Sequence, residues 1–90
     1  MVRATMIVKG FVQGVGYRYF ILREANETGI CGYVKNLWSG DVEIVVEGEE
    51  WQIDVLHQKA KEGPMRSRVK SVTVFKEETK NEFTKFEIRH

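Results

Sequence analysis

The apolar residues of this chain change period across a pair of glycines, and that change limits the folds open to it. Thr5 to Val12 is rich in β-branched and apolar residues, with Met6, Val8 and Val12 alternating onto one face, so it predicts a strand. Gly10, then Gly14 and Gly16, break the alternation, and a loop is expected at Gln13 to Gly16. From Tyr17 the spacing becomes helical. Tyr17, Ile21, Ala25 and Thr28 share a face, with Phe20 beside them, and Gly29 supplies a C-terminal stop.

The same alternation of periods recurs downstream. Ile30 to Leu37 reads as a strand, Ser39-Gly40 with Asp41 as a hairpin turn, and Val42 to Glu47 as the returning strand. Gly48 precedes a second helix. Its apolar stripe is Ile53, Leu56 and Ala60, with Glu49 and Glu50 in the first turn and Lys59 and Lys61 in the last, as the helix dipole favours. Gly63-Pro64 ends it. Val69 to Phe75 and Phe83 to Ile88 are further strands, with a polar, mobile segment expected from Glu77 to Asn81. This order predicts an α+β fold. It is a ferredoxin-like βαββαβ sandwich, one mainly antiparallel sheet with two helices on one face and a short extra C-terminal strand. No linker or repeat divides it, so residues 1–90 read as a single domain.

The totals remove several function classes. There are 14 Lys and Arg against 13 Asp and Glu, a net charge of +1, which predicts no broad basic face for nucleic acid and no pull towards an anionic membrane. Any phosphate recognition should therefore be local. The lone cysteine, Cys31, cannot close an internal disulfide, and no Cys/His cluster has zinc spacing. No apolar run approaches the roughly 20 residues that span a bilayer, and none follows Arg3 as a signal peptide requires. A cytoplasmic protein is the default expectation.

Chemistry concentrates in Gln13-Gly14-Val15-Gly16-Tyr17-Arg18, which joins a strand to a helix. Two glycines let successive N–H groups point inwards, and the helix N-terminus adds unpaired donors and partial positive charge, which together seat an anion. Arg18 opens the helix beside that seat with a planar fork suited to two phosphate oxygens. The loop lacks both the GxxxxGK[ST] pattern and the GxGxxG fingerprint of nucleotide-binding loops. On its own, such a loop is equally a tight turn beside a surface cation. Asn36 alters the balance. A helix over Tyr17 to Thr28 descends roughly 18 Å, and a strand over Cys31 to Asn36 climbs back roughly 20 Å. Asn36 thus returns to the level of Arg18, at the carboxyl ends of two parallel strands, where open α/β sheets bind ligands.

Gly10-Phe11-Val12-Gln13-Gly14-Val15-Gly16-Tyr17-Arg18 resembles the first signature of the acylphosphatase family. Gly32-Tyr33-Val34-Lys35-Asn36, continuing to Gly40-Asp41-Val42, resembles the second. Glu47-Gly48, Gly63-Pro64 and the terminal Phe86-Glu87-Ile88-Arg89 agree with it as well. The resemblance implies a hydrolase of acyl phosphates, without cofactor or metal. Arg18 would bind the phosphoryl group, the N–H groups of Gln13, Gly14, Val15, Gly16, Tyr17 and Arg18 would cradle its oxygens, and Asn36 would position the attacking water. Inorganic phosphate would be both product and inhibitor, and a monomer is expected. Two positions depart from the pattern: Phe11 stands where members often carry arginine, and Tyr17 where phenylalanine is usual. Phe11 should lie on the strand face opposite Met6 and Val8, with little catalytic consequence.

The remaining residues have plainer expectations. Cys31 should pack as a small apolar residue, His57 should be solvated, and the terminal His90 could approach the site. Trp38 could cover the hairpin near Asn36, Trp51 and Val55 could be partly buried beside the second helix, and the charges from Glu77 to Lys85 should form a solvated loop. The rival reading is a non-catalytic anion- or RNA-binding module on the same fold, since Lys9-Gly10-Phe11 echoes the start of an RNA-recognition motif. No paired aromatics are expected on a sheet face to stack bases. Similar domains occur inside larger maturation proteins, but at 90 residues with no appended module a free-standing hydrolase is the expectation.

Overall fold

Alternation along the first strand sets the architecture. The computed structural model describes residues 1–90, and in it strand β1 (Val2–Phe11) turns Ala4, Met6 and Val8 into the interior. It is followed by α1 (Tyr17–Thr28), β2 (Cys31–Asn36), β3 (Val42–Gly48), α2 (Glu50–Glu62), β4 (Arg68–Glu78) and β5 (Phe86–Arg89). The strands form one sheet in the order β4-β1-β3-β2-β5. Every pairing is antiparallel except β2 with β5. Strands β1 and β2 both run antiparallel to β3 between them, so they point the same way and finish at the same end of the sheet. The two helices cover one sheet face. Tyr17, Ile21 and Ala25 of α1 and Ile53, Leu56 and Ala60 of α2 join Met6, Val8, Val34 and Ile44 in a continuous core. This is the expected ferredoxin-like sandwich.

The helices begin and end for local reasons. Gly29 closes α1 in the left-handed region, its N–H bonding the Ala25 carbonyl at 2.8 Å. Glu49 is not in the first turn of α2, as expected, but is its N-cap. Its carboxylate accepts from the backbone of Gln52, and the Gln52 carboxamide accepts from the Glu49 N–H at 2.8 Å. That reciprocal pair satisfies two orphan donors.

Strand ends differ from the sequence expectation where pairing overrides polarity. Strand β1 starts at Val2 and β4 continues to Glu78, because Val2 pairs with Glu78 and Arg3 with Glu77 across the ladder. The stretch from Glu77 to Asn81 is therefore not a mobile loop. Its anchor is Glu47, a β3 residue whose side chain is buried on the face away from the helices. The Glu47 carboxylate accepts from Lys80 N–H at 2.6 Å and Glu82 N–H at 2.9 Å, and lies 3.3 Å from Arg3 Nη1. Burial pushes this carboxyl up, but those two backbone donors, with Thr79 and Arg3, outweigh burial and hold its pKa at about 2. Arg3 also meets Glu82 at 2.6 Å, so the segment is anchored, while its charges Glu78, Lys80, Glu82 and Lys85 remain exposed as expected.

Several single residues also depart from expectation. His57 is half-buried beside the Ile53, Leu56 and Ala60 stripe, with Nε2 enclosed and unpaired by the protein, and burial pushes its pKa down. Trp51 and Val55 lie on the outer side of α2 and are exposed. Cys31 is half-buried at the start of β2, where alternation turns it away from the core.

Candidate active site

The loop between β1 and α1 is fastened from below and open above. Val12, Val15 and Tyr17 are buried, while Gly14 and Gly16 between them are exposed. Gly14 has φ 74° and Gly16 φ 78°, a left-handed backbone that side chains resist, and a Cβ at either would meet nothing within 4 Å. Glycine is required here for conformation, and it leaves bare space above the loop. The N–H groups of residues 13 to 16 donate to no other part of the backbone, and the first helical bond is Phe20 N–H to Gly16 O at 3.1 Å. With the unpaired donors of the first helical turn, they form a row of free N–H groups.

Two side chains hold this loop in place. The Gln13 carboxamide nitrogen donates to the carbonyls of Leu37 and Asp41, each at 2.8 Å, and so ties the loop to the β2–β3 hairpin. The Tyr17 hydroxyl donates to the Ala60 carbonyl at 2.8 Å, locking the start of α1 to the last turn of α2, and burial pushes its pKa up. What Tyr17 can offer the seat is therefore backbone, not hydroxyl.

Arg18 and Asn36 meet above the loop. A cavity of about 90 Å³ is lined by Val12, Gly14, Gly16, Tyr17, Arg18, Tyr19 and Asn36. The structure thus brings together five of the residues singled out from sequence. Gln13 borders the adjoining groove, and Val15 points into the core. Arg18 has no carboxylate within ion-pair distance. Its Nη1 stands 3.2 Å from His90 Nδ1. A guanidinium only donates, so the imidazole accepts there and carries its proton on Nε2. The Asn36 Oδ1 is buried with no protein donor, an unsatisfied acceptor in a residue that lines the cavity. Acting together, these groups can hold an oxyanion against N–H donors and a fixed cation, and orient a small donor beside it.

The acylphosphatase family model matches residues 4–88. The chain belongs to the acylphosphatase family. An acylphosphatase of Moorella thermoacetica is 47% identical over 89 residues, covering 99% of this chain and 95% of the relative. One from Caldivirga maquilingensis is 49% identical over 90 residues, with 99% and 95% covered. The crystal structure of acylphosphatase from Bacillus subtilis superposes with a TM-score of 0.96 at 36% identity, covering all of both chains.

Other features around this candidate site were not legible beforehand. Tyr19 and Lys35 border it but carry no signal beyond adjacency to Arg18 and Asn36. Trp38 does not cover the hairpin; it stands fully exposed at the rim. The near-neutral total also hides a segregation of charge. Lys35, Lys61, Arg66, Arg68 and Lys70, none of them in an ion pair, sit at the end of the sheet where Arg18 lies, while Glu27, Glu49 and Glu78, also unpaired, lie at the other, where Glu50 pairs with Lys76 and Glu77 with Arg3 and Lys80. Aromatics do share the open sheet face, contrary to expectation. Tyr33 and Phe75 fall in one row through Val45 and Thr5, and Phe83 stands edge-on to Tyr33 at 5.9 Å. Arg89 caps the Tyr33 ring at 4.2 Å, so that ring is already stacked.

Proposed function

We propose that this chain hydrolyses acyl phosphates to carboxylate and inorganic phosphate, with Arg18 and the N–H groups of residues 13 to 18 binding the phosphoryl oxygens and Asn36 holding the attacking water. The observation that carries this reading is the single cavity in which the glycine loop, Arg18 and Asn36 meet. The water oxygen attacks phosphorus as the bond from phosphorus to the acyl oxygen breaks, and the electron pair leaves with the carboxylate. A carboxylate is a good leaving group and needs no general acid. The water proton passes to a non-bridging phosphoryl oxygen of the substrate, so no protein base is required. Charge gathers on the phosphoryl oxygens throughout, and fixed donors facing them lower the barrier.

The same reading makes inorganic phosphate a competitive inhibitor, since it is the product and fits the same N–H row. It also makes catalysis independent of metal, because Arg18 and the loop supply the positive charge. A monomer acting in the cytoplasm fits a site built within one chain and a free Cys31. The test is release of phosphate from benzoyl phosphate with and without a chelator. Equal turnover in both is expected. Loss of activity that magnesium or zinc restores would sink the metal-free mechanism, and no turnover in either would sink the proposed reaction.

A further inference from the structure

The loop cavity has room for a phosphoryl group, but an acyl phosphate brings a second part that must lie somewhere. A larger groove of about 540 Å³ opens beside it, lined by Gln13, Lys35, Asn36, Leu37, Trp38 and His90. Its size is that of a small-molecule site. Asn36 belongs to both walls, so a substrate phosphorylated at the loop extends past Asn36 into this groove.

The side chains that line the groove include a cation and no carboxylate. Leu37 and Trp38 supply an apolar wall. Lys35 is half-buried and has no carboxylate within ion-pair distance. His90 accepts from Arg18 through Nδ1 and so presents an N–H at Nε2. Asp41, whose carbonyl receives Gln13, has its carboxylate engaged by Lys9 at 2.7 Å. The side chains of these walls thus offer a cation without an ion-pair partner and an N–H donor, and the Glu43 carboxylate, opposite Lys35 on the ladder, receives the Tyr33 hydroxyl at 3.0 Å.

We propose that this groove seats the acyl part of the substrate and that Lys35 makes it select acyl groups bearing an anionic oxygen substituent over neutral ones. The proposal rests on the acyl phosphate reading of the adjoining cavity and names the substrate class of that site. A substrate of this kind satisfies an otherwise unpaired cation, whereas a neutral one leaves Lys35 desolvated without a partner.

Two synthetic substrates of the same shape test it: 4-carboxybenzoyl phosphate and 4-carbamoylbenzoyl phosphate, each rate normalised to its uncatalysed hydrolysis. The readout is the ratio of their kcat/KM values in wild type, Lys35→Met and Lys35→Arg. Wild type should favour the carboxylate about fivefold, the worth of one partly exposed ion pair. Lys35→Met should bring the ratio close to one, mainly through KM, and Lys35→Arg should keep it. In wild type alone the preference should shrink as salt is added, a reading that needs no folded variant. A ratio indifferent to both salt and Lys35 overturns the groove proposal while leaving the hydrolase reading in place. Hydrolysis of neither compound, nor of benzoyl phosphate, overturns both.

Discussion

Asn36 and Arg18 line one cavity but are proposed to act on different atoms, and single substitutions separate them. Asn36→Ala removes the group assigned to water and leaves the N–H row and Arg18 intact. Turnover of benzoyl phosphate should fall by about 10²–10³, or roughly 2.7–4 kcal/mol in the barrier, while the inhibition constant for phosphate stays nearly unchanged. A parallel loss of both would assign Asn36 to the anion instead. Arg18→Gln removes the only side-chain cation of that cavity. Phosphate at a hundredfold excess over Kd should stabilise wild type by about 2.7 kcal/mol, a rise in Tm of roughly 10 °C or more for a domain this small. Arg18→Gln should still fold, since the residue is half-exposed and is not part of the core, but should lose most of that rise together with activity. The measurement is a pair of melting curves titrated with phosphate at constant ionic strength, and equal shifts would place phosphate elsewhere.

Among the elements, the least expected stabilising device is the clasp of β3 on the segment after β4. Glu47 is a buried carboxylate whose charge is needed by two backbone N–H groups and Arg3. Its folded pKa, about 2, lies below its ordinary value of 4.5. A depressed carboxyl contributes stability that is complete above about pH 4.5 and is lost as pH falls towards 2. Melting temperature should therefore decline across that window in wild type. Glu47→Gln should cost about 2–3 kcal/mol at neutral pH and flatten the decline between pH 4.5 and 2. An unchanged pH profile in the variant would mean that other carboxylates govern acid unfolding. The clasp also marks the limit of what the sequence discloses. Both helices are visible in it because their signals are local: the spacing of Tyr17, Ile21 and Ala25, the stripe at Ile53, Leu56 and Ala60, and the glycines that end each run. The meeting of the glycine loop, Arg18 and Asn36 in one cavity is legible for the same reason, helped by their resemblance to a family signature. Glu47 lies more than 30 positions from Lys80 and Glu82, and only the ladder register brings it to them. Register likewise puts Tyr33 and Phe75 in one row and carries β4 through Glu77 and Glu78, and no local pattern encodes it.

Across the whole molecule, unpaired cations at one end and carboxylates at the other give a field that the net charge of +1 conceals. A dianionic substrate should feel it. For benzoyl phosphate, kcat/KM should fall severalfold between about 10 mM and 200 mM salt, over which screening shortens from roughly 30 Å to under 10 Å. The simultaneous change Arg66→Gln, Arg68→Gln and Lys70→Gln should reduce that dependence; a salt profile the same in both proteins would confine the field's effect to Arg18 and the loop. The sheet order has a further consequence, for the time at which the site comes into being. Arg18 and Asn36 are both present once the first 36 residues are made, yet the strands that aim them, β1 and β2, are not neighbours. Strand β3 must insert between them, and the outer edge of β1 waits for β4, with Val2 meeting Glu78. As the chain leaves the ribosome, Arg18 and Asn36 therefore emerge before the strand that sets their positions, and the first strand stays without a lasting partner until about half of the sequence has been translated.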